Sequence, residues 1–199
     1  MKSISYAAIL FDCDGTIADS MPLHFTAWNQ ALSKWGAHLP LDLHYEWAGT
    51  PTRKIARMLN DKFGWSMPPD EVVELKEAAY LAVMSTVKPI PSVLEVILKH
   101  HGQIPFAVVS GSSHQTVVET LTHLKILDRF EHIVGAEDYA NGKPAPDCFL
   151  QGAKLLGVDP LKCLAFEDAE LGIQSARAAG MDFATVDSRT GILTWPASK

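Results

Sequence analysis

The sequence predicts an α/β protein in which a helical segment is inserted into a parallel-sheet domain. Short apolar runs typical of β-strands alternate with amphipathic helical patterns over most of the chain. Strands that alternate with helices form parallel sheets, since a parallel pair needs a long crossover connection. Residues 21–88 differ, because they contain helical patterns and no convincing strand. The predicted strands span residues 4–11, 106–109, 132–134, 163–166 and 183–186.

The helices predicted outside the insertion have apolar residues at the three- and four-residue spacing of one helix face. Gly102 and Gly157 end two of these patterns, as glycine commonly does at a helix C-terminus. The apolar positions are Val93/Val96/Ile97, Val117/Val118/Leu121/Leu124 and Phe149/Leu150/Ala153/Leu156.

The insertion contains three further helical patterns, within residues 23–35, 55–63 and 72–83. Proline-containing segments flank it, with Ser20-Met21-Pro22 at its start and Lys88-Pro89-Ile90-Pro91 at its end. Such breakers interrupt regular structure and mark a boundary between domains. We therefore predict a sheet domain made of residues 1–18 and 89–199, and a helical cap domain of residues 19–88 that is able to hinge against it.

The length, hydrophobic content and net charge of the chain limit the functions that it can have. The 199 residues with 47% hydrophobic content are enough for one core and a smaller subdomain. The net charge of -6 and the absence of any long Lys/Arg run exclude a nucleic-acid or anionic-membrane surface. We expect a monomer that acts on a small molecule.

The cysteines and the first apolar run indicate where the protein acts. The three cysteines are odd in number and form no CxxC pair, which favours a reducing compartment over a disulfide framework. The apolar run of residues 6–11 is too short for a signal-peptide core or a membrane span. The expected location is the cytoplasm.

Two carboxylates end the first predicted strand. Asp12 and Asp14 are two positions apart, so their side chains start on the same face of the strand, and Gly15 allows a turn directly after them. Two like charges this close ionise together only at a cost unless a cation is present. The pair therefore predicts a metal site, acid/base chemistry, or both.

Other polar groups follow the second and fourth predicted strands, as Ser110-Gly111-Ser112 and Glu167-Asp168, and Lys143 lies before a proline. Each has an ordinary explanation when taken alone: a helix cap, acids in a first helical turn, or a solvated lysine. Ligands of open parallel sheets bind beyond the carboxyl ends of the strands. Taken together, these groups predict one crevice where they converge with the acid pair.

Four segments of the sequence carry a specific resemblance, namely FDCDGTIADS, VVSGSS, NGKPAPD and FEDAELGIQSARAAGM. With them, the whole chain resembles the haloacid dehalogenase superfamily, in the subgroup with a small helical cap after the first motif. The resemblance implies a Rossmann-like parallel sheet core. The spacing of Asp19, Ser20, His24 and Trp28 is similar to that in β-phosphoglucomutases and the related sugar-phosphate phosphatases, including fructose-1-phosphate phosphatase-like enzymes.

This resemblance implies a phosphatase that hydrolyses small sugar phosphates with Mg²⁺ as cofactor. Asp12 would attack phosphorus and form an aspartyl-phosphate, and Asp14 would be the general acid and base. Members that attack carbon lack the second aspartate, so Asp14 favours phosphoryl chemistry. Magnesium would be bound by Asp12, the Asp14 backbone carbonyl and Asp168, with Glu167 at the ion or just behind its ligands.

The resemblance also implies how substrate is held. Ser110, Gly111 and Lys143 would bind the phosphate oxygens. Cap residues would contact the sugar or a distal phosphate, and the candidates are His24, Arg53 and Lys76.

Three alternatives remain open. A β-phosphoglucomutase is disfavoured because Ala48 precedes Gly49, where family mutases commonly carry a lysine. A phospho-acceptor switch also places acids, a hydroxyl and a lysine at strand ends, but it has no helical insertion after its first strand. A non-catalytic binding module is the third alternative.

Overall fold

The structure is a computed structural model that describes residues 5–196. In this part of the chain six strands form one sheet: β1 (Ala8–Phe11), β2 (Phe106–Val109), β3 (His132–Val134), β4 (Cys163–Glu167), β5 (Asp182–Val186) and β6 (Leu193–Thr194). Their spatial order is β3-β2-β1-β4-β5-β6. The first five pair in parallel, which confirms the predicted fold class.

Two details of the sheet differ from the sequence prediction. The first strand begins at Ala8 rather than at residue 4, which lies outside the described residues. Strand β6 was not predicted, and it pairs antiparallel with β5. The loop 187–192 between them is too short for a parallel crossover, so the chain turns back on itself.

Helices precede or follow the strands and fill the insertion: α1 (Met21–Leu32), α2 (Leu41–Glu46), α3 (Thr52–Phe63), α4 (Pro69–Val83), α5 (Pro91–His100), α6 (His114–His123), α7 (Asp147–Leu156) and α8 (Glu170–Ala178). Helix α2 was missed because so short a helix shows no full repeat of apolar positions. Across residues 5–196, none of the helices has both the length and the apolar character that crossing a membrane requires.

The sheet is buried on both faces because its strand residues alternate sides. In β1, Ile9 and Phe11 pack into the cluster covered by α5 and α6, while Ala8 and Leu10 pack into the one covered by α7 and α8. Gly152 lets α7 approach closely, since a Cβ there would lie 2.7 Å from Leu10 Cδ2. The sheet is therefore a rigid platform for the residues at its edge.

The insertion has its own apolar cluster, which includes Trp28, Leu59 and Val72. Its two connections to the sheet lie side by side: the Asp19 amide donates to the Lys88 carbonyl and the Ile90 amide to the Ile17 carbonyl, both at 2.8 Å. The domain boundaries predicted at 18/19 and 88/89 fall at this pair of connections and stay a prediction.

Candidate active site

Three adjacent strands deliver polar residues to one point at the sheet edge. Asp12 follows β1, Ser110 follows β2, and Glu167 ends β4. The strand hydrogen bonding extends to these residues: the Asp12 amide donates to Phe166 O and the Ser110 amide to Val134 O, both at 2.9 Å. Because β1 lies between β2 and β4, the structure brings these predicted residues together.

Lys143 reaches this point from the loop before α7, and its side chain is fully buried. Its Nζ donates to Asp12 Oδ1 at 2.5 Å and also to Glu167 Oε1. Burial alone lowers the pKa of Lys143, but the Asp12 and Glu167 carboxylates outweigh this effect and raise it well above its ordinary value. The lysine is therefore a fixed positive charge between two acids.

Asp12, Glu167 and Asp168 form a carboxylate group, the one such cluster among the described residues. One oxygen of each lies within 4.8 Å of the others. Burial, followed by the neighbouring Glu167 charge, raises the pKa of Asp168 to about 8. Burial also raises the pKa of Asp12. Crowded, buried oxygen ligands of this kind fit a hard divalent cation such as Mg²⁺.

Glycines make room for these acids. Gly15 has a φ of 87°, and a Cβ there would lie 2.3 Å from Asp168 Oδ2. A Cβ on Gly172 would lie 1.9 Å from Glu167 Oε1. Glu167 Oε2 accepts from the Asp168 amide at 3.1 Å, so both carboxylate oxygens of Glu167 already have protein donors.

Asp14 lies in a different environment from Asp12. Its Oδ1 accepts from Ser20 Oγ at 2.7 Å and from His24 Nε2 at 2.8 Å, and its Oδ2 accepts from Ser112 Oγ at 2.7 Å. Burial raises the pKa of Asp14, but His24 and the two hydroxyls outweigh it and hold this pKa well below its usual range. The two neighbouring acids are therefore held by different groups, Asp12 by Lys143 and Asp14 by His24 and two hydroxyls.

The loop after β2 is closely covered by the insertion. Ser110 is buried, and its Oγ accepts from the Ser112 amide at 3.0 Å. A Cβ on Gly111 would lie 2.8 Å from Gly49 O, and one on Gly49 would lie 3.3 Å from Lys143 Cδ. The loop between α2 and α3 therefore lies directly against the residues predicted to bind phosphate.

The crevice between the sheet edge and the insertion is lined on the insertion side by His24, Trp28, His44, Trp47, Thr52 and Lys76, among others. His24 is buried, contacts Asp14 and stacks on Tyr80 at 4.0 Å between ring centroids. Lys76 is also buried, and its Nζ donates to Glu77 Oε1 at 2.9 Å. The structure thus brings two of the three predicted cap residues to the crevice.

Arg53 is the exception. Its half-exposed guanidinium pairs with Asp70 on the surface of the insertion, and Arg53 is not among the residues that line the crevice. The first turn of α3 carries Arg53 on the outside of the insertion. This structure does not bring Arg53 to the site.

Sequence reasoning assigned no role to several residues of the site. Ser20 and Ser112 hold Asp14, and Thr16 Oγ1 donates to Asp168 Oδ1 at 3.0 Å. All three stand beside predicted residues within the quoted motifs, which was the available signal. His44 also lines the crevice, and no motif pointed to it.

Comparisons with known proteins identify relatives of this chain. The family model for haloacid dehalogenase-like hydrolases matches residues 6–180. Fructose-1-phosphate phosphatase YqaB of Escherichia coli (strain K12) is 38% identical over 178 residues, which cover 89% of this chain and 94% of that protein. A probable pseudouridine-5'-phosphatase of Drosophila melanogaster is 30% identical and covers 89% of this chain and 80% of its own.

Solved structures match as well. A β-phosphoglucomutase from Clostridium difficile superposes with a TM-score of 0.83 at 26% identity. The match covers 91% of this chain and 84% of that one.

Proposed function

Because the chain belongs to the haloacid dehalogenase-like hydrolase family, we propose that it is a magnesium-dependent phosphatase of small sugar phosphates. The observation that carries the proposal is the arrangement around Asp12. Asp12 accepts a hydrogen bond from the buried Lys143 cation, and Asp14, two residues later, is held by other groups such as His24. A nucleophile, a charge that stabilises phosphate oxygens and an acid/base group are what phosphoryl transfer through a covalent intermediate requires.

In the proposed mechanism, the phosphate group of the substrate binds beside Asp14, and because a nearby like charge raises the pKa of a carboxyl group, Asp14 takes up a proton on binding. An Asp12 oxygen then attacks phosphorus while the bond to the sugar oxygen breaks, and Asp14 gives that oxygen this proton. A water then attacks the aspartyl-phosphate, Asp14 takes the proton of the water, and orthophosphate leaves. Lys143, Ser110 and the Gly111 amide hold the phosphate oxygens. These groups act mainly through charge and position, as in other phosphoryl transfers.

The metal would be held by Asp12, Asp168 and the backbone carbonyl of Asp14, with Glu167 just behind them because both its oxygens are engaged. When bound, Mg²⁺ reduces the repulsion between the nucleophile and the phosphate. Two unit charges about 4 Å apart repel by roughly 4 kcal/mol at an effective dielectric constant of about 20.

The substrate class comes from the relatives and from the insertion, which we propose is a cap over the site. The relative from Escherichia coli is named as a fructose-1-phosphate phosphatase. We propose small sugar phosphates as the substrate class of this chain as well. Ala48 is buried beside Met21 and Ala169, so no cation stands before Gly49. This supports water rather than a second sugar phosphate as the acceptor.

The test is a panel of phosphorylated sugars incubated with the enzyme and MgCl₂, with orthophosphate release as the readout. We expect release from at least one sugar phosphate, its loss with a chelator, and its loss in Asp12→Asn. Asp42→Asn, on the exposed start of α2, is the matched control and should retain activity.

Two outcomes would contradict the proposal. Unchanged turnover of p-nitrophenyl phosphate in Asp12→Asn would show that Asp12 is not the nucleophile. Formation of glucose 6-phosphate from β-glucose 1-phosphate in the presence of a bisphosphate primer would show a mutase instead, which the likeness to β-phosphoglucomutases makes the second candidate.

A further inference from the structure

His44 lies in α2 on the cap side of the crevice, and it has no part in the mechanism above. Its side chain is buried, and the rings of Phe25 and Tyr45 lie 5.4 Å and 5.2 Å from its own. These contacts fix the position of the imidazole.

The hydrogen bonding of His44 determines which nitrogen carries the proton. Nε2 lies 2.9 Å from the carbonyl oxygen of Met21, which only accepts, so Nε2 is the donor. Burial lowers the pKa of His44 to about 4; the hydrogen bond to Met21 raises this pKa by less, and the nearby His24 and Lys76 lower it further. The ring is therefore neutral at neutral pH, and Nδ1 carries a lone pair.

This lone pair has no protein partner. Within residues 5–196, the bond to Met21 is the one hydrogen bond that His44 makes through its ring. A polar atom at a ligand site that accepts nothing from the protein is available to a donor of the ligand.

The charges on the cap side indicate what kind of ligand fits. Lys76 is the one Lys or Arg that lines the crevice on this side, among the residues the structure describes, and Glu77 neutralises it. Glu77 also accepts from Thr116 Oγ1 at 3.2 Å, which ties it to α6. The cap side thus offers no unpaired positive charge to a second phosphate, and it fits an uncharged hydroxylated group.

We propose that Nδ1 of His44 accepts a hydrogen bond from a hydroxyl of the substrate. His44 is then a specificity residue that favours phosphate monoesters of polyhydroxylated alcohols over esters with apolar leaving groups. The proposal rests on the proposed phosphatase function. An apolar leaving group leaves the acceptor unpaired in a desolvated site, and this discriminates between substrates.

Two variants separate the roles of the two ring nitrogens. In His44→Gln the side-chain amide nitrogen reaches the Nε2 position, so the donor to Met21 is retained and the Nδ1 acceptor is lost. In His44→Asn the amide oxygen is able to take the Nδ1 position, while the donor to Met21 is lost. His38→Gln changes an exposed histidine of the same domain and is the control.

The readout is the ratio of kcat/KM for a sugar phosphate to kcat/KM for p-nitrophenyl phosphate. The sugar phosphate is the fastest of fructose 1-phosphate, fructose 6-phosphate, glucose 6-phosphate and ribose 5-phosphate. We expect His44→Gln to lower the ratio by about 10- to 100-fold. His44→Asn should retain most of the ratio and His38→Gln all of it.

Deoxy analogues of the same sugar phosphate test the inference from the substrate side, because each removes one hydroxyl without changing the protein. For one deoxy analogue, the kcat/KM of the wild type should fall by the same factor as His44→Gln lowers kcat/KM for the parent sugar phosphate. His44→Gln should then cause no further loss with that analogue. An unchanged ratio in His44→Gln, or fully additive losses for every deoxy analogue, would overturn the role of His44. Absence of turnover of all the esters by the wild type would instead overturn the phosphatase proposal itself.

Discussion

The two walls of the crevice are built differently. The sheet wall holds Asp12, and directly behind it lie Lys143 and Glu167; the charges of all three are buried and paired with each other. Lys143 and Asp12 are 131 positions apart in sequence, so the sheet brings them together. The cap wall holds His24, His44 and Lys76 on helices of one inserted segment, and Glu77 balances its lysine.

This difference indicates a division of labour. Charges fixed at strand ends suit the step common to every phosphate ester, since they are in place before the substrate arrives. A nearly neutral wall on a separate segment suits recognition of the part that varies between esters. Changes to the sheet wall should therefore affect all substrates, and changes to the cap wall should affect them selectively.

The largest effect is expected from Lys143→Met. It leaves two buried carboxylates without their cation, which should cost about 3–5 kcal/mol of the free energy of unfolding. It should also lower kcat for all esters by about 10²- to 10³-fold or more. Urea unfolding and orthophosphate release measure the two effects.

Lys76→Met is the matched change in the cap wall. Glu77 is 21% exposed and keeps its bonds from Thr52 and Thr116, so the cost should be clearly smaller than that of Lys143→Met. An equal loss of stability in both variants would contradict the distinction between the walls.

Asp14→Asn should lower the hydrolysis of sugar phosphates by about 10²- to 10⁴-fold, because an alkoxide needs a proton to leave. The first turnover of p-nitrophenyl phosphate should fall much less, since p-nitrophenolate leaves without one. Rapid-mixing measurement of p-nitrophenol release checks this. Equal losses of rate for the sugar phosphate and for p-nitrophenyl phosphate would show that Asp14 is not the general acid.

The pH dependence of stability tests the neutral state of His44. Its pKa is lowered from 6.5 to about 4 on folding, so the unfolded chain binds more protons between these values. The contribution is fully present above pH 6.5 and is lost as the pH falls toward 4, up to about 3 kcal/mol.

The difference between wild type and His44→Gln in the free energy of unfolding, measured at pH 7.5 and pH 4.5, isolates this effect from other titrating groups. His38→Gln should follow the wild type at both values. A wild type and a His44→Gln variant that respond identically to pH would show that the imidazole is not held neutral.

Arg53→Ala should have the smallest effect. An exposed ion pair contributes about 0–1 kcal/mol, and kcat/KM should stay within about twofold of the wild type. A large rise in KM would show that Arg53 reaches the substrate, as the family resemblance implied, and that the cap wall carries more charge than this structure shows.

Much of the fold could be predicted because its signals are local. The continuous apolar run through Ile9, Leu10 and Phe11 and the helical repeats of α5 to α7 are visible in short windows of sequence. Strand β6 and helix α2 could not be predicted, since with two and six residues each is too short to show a repeated apolar pattern. Their positions depend on neighbours that the sequence does not show.

The site was predictable where strands end in acids, since the topology of a parallel sheet brings those ends to one edge. The individual hydrogen-bond partners across the fold were not predictable. Ser112 reaches Asp14 over 98 positions and Thr16 reaches Asp168 over 152. The exposure of Arg53 and the tautomer of His44 depend on contacts with Asp70 and with Met21 that no local pattern encodes.

The most direct test of the central claim is to find where phosphate is bound during turnover. The enzyme is mixed with a hydrolysed sugar phosphate and MgCl₂, quenched rapidly, and treated with borohydride, which reduces an aspartyl-phosphate to homoserine. Peptide mass spectrometry should then find homoserine at position 12, and none there in Asp12→Asn. Turnover with no modification at Asp12, or with the modification at another carboxylate, would contradict the account.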